Sequence, residues 1–301
     1  MLTPFLLKMT SPSISFNNAL CKIDNVSYPP LGFGTYPLKG KECQQAVELA
    51  FNSGYRIFDT AAYYQNFDAL KAAFATCQRQ DCYLISKVWH DSLTPQDLQK
   101  DLHSTLKSLN TDYLDAYLIH WPNSQVPIEI TLSAMETLKK QGKVRHLGLS
   151  NVTVNHLKKA VQLNVPLSWI QVEMHPFFYD KPLLEFCQQN ALIIQAWRPL
   201  NLGYVQQDPL LQALANKYRK TPCQIALRWI LELNALPLPS SKKKAHIQEN
   251  FQIFDFSLTK EDCSQISQRA AQGKRFRLSK ERGLGFTDEF DFSYEQCWPT
   301  S

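Results

Sequence analysis

The chain has 301 residues, with 32 Lys+Arg against 27 Asp+Glu, a net charge of +5 and 44% apolar side chains. This composition excludes wholesale disorder, and the mild positive charge lacks the dense basic stripe of a nucleic-acid binder while suiting a small anionic ligand. No run approaches the ~18 uninterrupted apolar residues of a membrane span. The apolar start MLTPFLLKMT has no basic region before it, is broken by Pro4 and ends at Lys8, so no signal peptide is expected.

The predicted elements alternate. Residues 41–53 place Ala46, Val47, Ala50 and Phe51 on one helical face, and Gly54 stops the helix. A strand follows at 55–59 (YRIFD), and another lies in CYLISKVW (82–89). Thr94-Pro95 is a helix cap followed by proline in the first turn, opening a stripe of Leu98, Leu102, Leu106 and Leu109. DAYLIHW (115–121) reads as a fully buried strand, 127–141 as a helix ending at Gly142, and KVRHLGLS (143–150) as the next strand. A helix marked by Leu157, Ala160 and Val161 precedes the strand WIQVEM (169–174). A helix near 181–190 precedes ALIIQAW (191–197), and Thr221-Pro222 caps a further helix.

Buried strands alternating with amphipathic helices predict parallel β-structure with right-handed crossovers, in roughly eight units from Leu31 onward. An open dinucleotide-binding sheet would show G-x-G-x-x-G after its first strand. Gly32-Phe33-Gly34 lacks the third glycine, and Gly283-Leu284-Gly285 lies near the C-terminus. The expected fold is therefore an α/β barrel of the (β/α)8 TIM type. One domain is expected over 1–301, with an N-terminal hairpin, a barrel over about 30–272 and a tail over 273–301. Cys21, Cys43, Cys77, Cys82, Cys187, Cys223, Cys263 and Cys297 include no C-x-x-C pair. Reduced buried thiols and a cytoplasmic location fit better than a disulfide framework.

In such a barrel, chemistry sits at the C-terminal strand ends. There the chain carries Asp59 and Tyr63-Tyr64, then Lys87, His120, Ser150-Asn151, Gln171, Glu173, His175 and Trp197. Singly, each reads as an ordinary cap, packed residue or surface side chain. Together they suggest more. A lysine inside an apolar strand is costly unless paired, and Asp59 is its natural partner. A tyrosine near that lysine is expected to have a lowered pKa and to act as a general acid, with His120 orienting a substrate oxygen. A metal held by Asp59, His120, Glu173 and His175 is the rival reading, which a lysine within the ligand shell opposes.

These residues resemble the aldo-keto reductases. The matching segments are G-F-G-T (32–35), D-T-A-A-Y-Y-Q-N (59–66), S-K-V-W (86–89), L-I-H-W-P (118–122), G-L-S-N-V (148–152), Q-V-E-M-H-P (171–176), R-P-L (198–200) and H-I-Q-E-N-F (246–251). The tryptophan in A-W-R-P-L and the phrase F-D-F-S-L-T (254–259) resemble the bacterial 2,5-diketo-gluconate and methylglyoxal reductases. The resemblance implies reduction of a small carbonyl substrate (2-oxoaldehydes, keto-sugar acids) by NADPH, with NADH as the alternative cofactor and no metal. It implies Tyr64 as proton donor, Lys87 and Asp59 supporting it, and His120 orienting the carbonyl. Ser150, Asn151 and Gln171 would hold the nicotinamide carboxamide, and Trp197 would stack on its ring. Leu200 and Gly203 would lie beside the pyrophosphate, with Glu249 and Asn250 on the adenine. Tyr36, Trp89 and Trp121 would line an aromatic substrate pocket, and Phe286, Phe290, Phe292 and Trp298 of the tail would fold over its mouth. Some members of the superfamily are cofactor-binding regulatory or sensor subunits, which is the alternative function. A monomer is the default, with no nucleic-acid or membrane partner.

The chain departs from the family pattern at four places. Pro239-Ser240-Ser241 stands where the family has Pro-Lys-Ser, and His246 stands for the arginine of the 2′-phosphate site. Ser241 with Lys242, Lys243 and Lys244 would serve that phosphate instead. Phe67 replaces a glutamate after Asn66, and Pro237 lies within the last strand, which is expected to be short or irregular.

Overall fold

The computed structural model describes residues 14–123 and 125–273, so Cys297 and the tail aromatics expected over the pocket mouth lie outside it. The chain begins with a three-stranded antiparallel sheet, β1 (Ile14–Phe16), β2 (Cys21–Ile23) and β3 (Val26–Tyr28). Ile14, Cys21, Ile23 and Tyr28 pack against Ile57, Tyr83 and Trp169 and close the floor of the barrel.

The eight barrel strands are β4 (Gly32–Gly34), β5 (Ile57–Asp59), β6 (Tyr83–Val88), β7 (Leu114–Ile119), β8 (Val144–Ser150), β9 (Leu167–Glu173), β10 (Ile193–Trp197) and β11 (Ala235–Leu238). Each is parallel to its sequence neighbour, and the amide of Gly34 donates to the Pro239 carbonyl at 2.9 Å, bringing the last strand back to the first. A Cβ on Gly34 would lie 3.0 Å from the Leu238 carbonyl oxygen, so this seam needs glycine. The expected (β/α)8 barrel is the observed fold.

The outer layer is α1 (Gly40–Asn52), α2 (Phe67–Ala73), α3 (Pro95–Leu109), α4 (Ile128–Lys140), α5 (Val154–Gln162), α6 (Lys181–Gln189), α7 (Pro209–Tyr218), α8 (Pro222–Glu232) and α9 (Lys244–Phe251), followed by α10 (Lys260–Ala271). Side-chain caps start them where the sequence predicts: Thr94 Oγ1 accepts from the Asp97 amide, and Thr221 and Gln224 form a capping box. At α5 the same box uses a histidine, because the Thr153 amide donates to His156 Nδ1 at 2.8 Å.

Strand alternation divides the core into two layers. Leu84 and Val88, Tyr117 and Ile119, Ile170 and Val172, and Ile194 and Ala196 face the helices. Their alternates Tyr83 and Ile85, Ala116 and Leu118, Trp169 and Ile193 fill the barrel interior. Continued two residues further, those inward lines reach Lys87, His120, Gln171 and Gln195.

One strand departs from expectation and one follows it. β5 is shorter than 55–59, because Tyr55 turns outward and its hydroxyl donates to the Ile247 carbonyl at 3.2 Å. β11 has four residues, short as Pro237 implies, yet it keeps an unbroken register with β10 in which Ala196 faces Pro237. Among the described residues, no helix is long and apolar enough to cross a membrane. The seven described cysteines are all thiols.

Candidate active site

The period of two that fills the barrel also builds the site. Asp59 ends β5 two residues above Ile57, and Lys87 lies two above Ile85 on β6. His120 follows β7, and Tyr64 ends a single 3-10 turn (Ala62–Tyr64) after β5. Lys87 Nζ donates to Asp59 Oδ1 at 2.7 Å, to the Thr60 carbonyl at 3.0 Å and to the Tyr64 hydroxyl at 3.0 Å, which uses its three hydrogens. The His120 ring stands edge-on to the Tyr64 ring at 5.5 Å. Asn66 locks the loop: it accepts from Thr60 Oγ1 at 2.7 Å and donates to Thr35 Oγ1 and the Leu38 carbonyl, each at 3.1 Å.

The electrostatics correct one expectation. Tyr64 is not lowered by Lys87. Burial first, then the Asp59 carboxylate and Tyr36, push its pKa well above 10. The physical reason is that a buried phenolate would lose its hydration, and the Asp59 carboxylate adds to that cost, so the phenol keeps its proton. Burial lowers Lys87 below its usual 10.5, while Asp59 opposes the shift. His120 is pushed well below 6.5 by burial, then by Lys87 and His90, and is neutral at physiological pH. Its buried Nδ1 finds no partner among the described residues.

These groups open onto a cleft of about 1030 Å³, at the upper end of the ~300–1,000 Å³ of small-molecule sites. Of the residues predicted from sequence, Asp59, Tyr64, His120, Ser150, Asn151, Gln171, Trp197, Leu200, Gly203, Ser241, His246, Glu249 and Asn250 line it, as do Tyr36, Trp89 and Trp121. Lys87 stands behind Tyr64. Lys242 does not line the cleft. It is exposed, and its ammonium pairs with Glu42 on α1 at 3.1 Å.

The floor of the cleft offers amide-binding groups. Asn151 Nδ2 donates to the His120 carbonyl at 2.9 Å and to Ser150 Oγ at 3.1 Å, while its Oδ1 accepts from Trp197 Nε1 at 3.1 Å. Gln171 Nε2 donates to Asp59 Oδ2 at 2.8 Å. A lone pair on Asn151, the Gln171 carbonyl and the Ser150 hydroxyl hydrogen remain, a donor and acceptor set that fits a carboxamide. At the far end, Glu249 accepts from Thr221 Oγ1 at 2.8 Å, and Asn250 is buried beside it. The cleft is thus long, aromatic at one end and polar at the other.

Sequence reasoning missed several lining residues. Tyr63 reads as a decoy beside Tyr64, yet its ring stacks on Trp89 at 4.0 Å and 13°. Arg198 reads only as part of a motif, yet its guanidinium enters the cleft beside the Trp197 ring. Behind the cleft rather than lining it, Gln195 gives no signal at all, although the alternation of β10 aims it inward with Ile193. Glu173 Oε1 and His175 Nε2, ligands in the rival metal reading, pair with each other at 3.1 Å. Among the described residues, no group of three or more His, Cys, Asp or Glu is arranged to hold a metal.

Comparison with known proteins agrees with this geometry. The sequence profile of the Aldo/keto reductase family matches residues 30–270. The chain is 34% identical over 247 residues to the glyoxal reductase of Bacillus subtilis (strain 168), covering 81% of this chain and 89% of that protein. It is also 34% identical over 247 residues to the methylglyoxal reductase DkgA of Yersinia pestis, covering 79% and 88%. The crystal structure of a putative 2,5-diketo-D-gluconic acid reductase B superposes with a TM-score of 0.82 at 30% identity, over 89% of this chain and 95% of that one. The Bombyx mori aldo-keto reductase in complex with NADP superposes with a TM-score of 0.78 at 28% identity, over 89% and 96%. The chain belongs to the aldo/keto reductase family.

Proposed function

We propose that this protein is an NADPH-dependent reductase of small aldehydes and ketones, 2-oxoaldehydes and keto-sugar acids among them, with NADH as a second cofactor. The observation that carries the reading is the contact of Lys87 Nζ with both Asp59 and Tyr64, at 2.7 and 3.0 Å, beneath a neutral His120. The relatives that reduce glyoxal and methylglyoxal, and the neighbour solved with NADP, support it.

The bound nicotinamide supplies a hydride. The chain's own residues do the rest. Ser150, Asn151 and Gln171 would hold the carboxamide, and Trp197 would stack on the nicotinamide ring. Leu200 and Gly203 would serve the pyrophosphate, Glu249 and Asn250 the adenine, and Ser241 and His246 the 2′-phosphate. His120 orients the carbonyl oxygen toward Tyr64. A phenol that keeps its proton at rest is suited to donation, because it releases the proton only when negative charge develops on the carbonyl oxygen. Lys87 then stabilises the phenolate, and Asp59 keeps the lysine charged. Tyr36, Trp89 and Trp121 exclude water from the carbonyl end.

The test is oxidation of NADPH, with NADH in parallel, in the presence of methylglyoxal, a diketo-gluconate or an aromatic aldehyde, by the wild type and by Tyr64→Phe. Turnover by the wild type that disappears in the variant, with cofactor affinity retained, is expected. Cofactor binding without turnover of any carbonyl would instead make the chain a cofactor-binding regulatory or sensor protein.

A further inference from the structure

A buried glutamine behind the cleft has no role in the mechanism above. Gln195 is fully buried on β10, in register with Gln171 on β9. Its side-chain oxygen lies 2.9 Å from Gln171 Nε2, and the same nitrogen lies 2.8 Å from Asp59 Oδ2. The chemistry of the three groups settles how both amides are turned. Asp59 as a carboxylate only accepts, so the Gln171 atom facing it is the nitrogen. The Gln195 atom facing that nitrogen is then the oxygen.

Two consequences follow. Both hydrogens of Gln171 Nε2 are taken, which leaves Gln171 Oε1 as the group offered to the cleft. Gln195 Nε2 is meanwhile left buried without a partner among the described residues. An unmet amide in a barrel interior is destabilising, a cost an apolar residue of the same size would not carry. The glutamine's contribution lies in its oxygen.

We infer that Gln195 is a positioning residue, which fixes Gln171 so that its nitrogen stays on Asp59 and its oxygen faces the nicotinamide carboxamide. Gln171 then joins the cofactor seat to the Asp59–Lys87–Tyr64 chain. This inference rests on the reductase reading, since it assigns the carboxamide to Gln171.

The test uses two variants and two ligands. Gln195→Met is close in size, removes the oxygen and also removes the unmet amide, so folding is not compromised. Gln195→Glu keeps an acceptor at the same reach in either protonation state. Affinity is read by quenching of protein fluorescence with NADPH and with 2′-phospho-ADP-ribose, which lacks the nicotinamide. In Gln195→Met the Kd for NADPH should rise roughly fivefold, the worth of one ordering hydrogen bond, while that for the fragment stays within twofold. Gln195→Glu should return NADPH affinity to near the wild-type value. Equal losses for both ligands would mean a general structural role and overturn the inference, as would unchanged affinity for both. Failure of the wild-type chain to bind NADPH would overturn the reductase reading and this inference together.

Discussion

Lys87 Nζ lies 2.7 Å from Asp59 Oδ1, and neither side chain is more than 5% exposed. A buried pair of this kind adds little net stability, but removing one partner strands the other charge. Asp59→Asn should therefore destabilise the fold by about 3 kcal/mol. That corresponds to a fall in Tm of roughly 5 °C for a chain of this size, together with loss of turnover. Thermal unfolding beside a steady-state assay checks it. A variant with unchanged Tm would show that the lysine does not depend on its carboxylate.

The pH profile follows from two shifts in opposite directions. His120 is held well below 6.5 and Tyr64 well above 10. Between those limits neither His120 nor Tyr64 gains or loses a proton. The expected kcat/KM for carbonyl reduction is flat from pH 6 to 9, with no inflection near the ordinary histidine value of ~6.5. A bend there that persists with every substrate would mean that His120 titrates in the working range.

The capping histidine of α5 predicts an acid-sensitive fold. Burial, then Lys159, push His156 down to about 2, and its Nδ1 accepts from the Thr153 amide at 2.8 Å. In the folded chain this ring stays neutral, whereas the unfolded chain takes up a proton below ~6.5. The contribution is therefore complete above that pH and is lost as pH falls, by about 1.4 kcal/mol per pH unit. His156→Gln keeps a capping-box side chain that does not titrate. Urea unfolding at pH 7 and pH 5 should give a smaller loss in the variant than in the wild type. Equal losses would place the acid sensitivity elsewhere.

The structure separates two of the basic residues proposed for the 2′-phosphate. Lys242 is paired with Glu42 outside the cleft, whereas His246 lines it. Lys242→Ala should leave the Kd for NADPH within about twofold of wild type, the worth of an exposed charge. His246→Arg should tighten NADPH several-fold relative to NADH, because a guanidinium meets a phosphate with two parallel hydrogen bonds. Titration of both cofactors by fluorescence decides it. A large loss in Lys242→Ala would mean that the lysine leaves Glu42 to reach the phosphate.

The legible part of this site is what local pattern can carry. Asp59, Lys87 and His120 stand at the C-terminal ends of apolar strands, and strand alternation alone turns them inward. Thr94-Pro95 and Thr221-Pro222 mark helix starts for reasons confined to one turn. What stayed hidden depends on chain closure. Gln195, Gln171 and Asp59 touch only because β5, β9 and β10 curve around one axis. Lys242 finds Glu42 from the opposite end of the barrel sequence. The direction of the Tyr64 shift is not legible because the motif displays a positive neighbour, while the burial and the carboxylate that outweigh it are properties of the assembled rim.

The seam between Gly34 and Pro239 also bears on how the protein is made. A ribosome delivers Asp59, Tyr64, Lys87 and His120 early, yet the far wall of the cleft, proposed above to receive the nucleotide, is built from the last strand and the helices around it. That strand must return to β4, across almost the whole barrel, before the ring can shut. Such long-range closure is slow. A nascent chain would carry its complete set of proton-handling residues for some time before it could hold a dinucleotide, and would expose the inner faces of β4 and β10 to other chains during that interval.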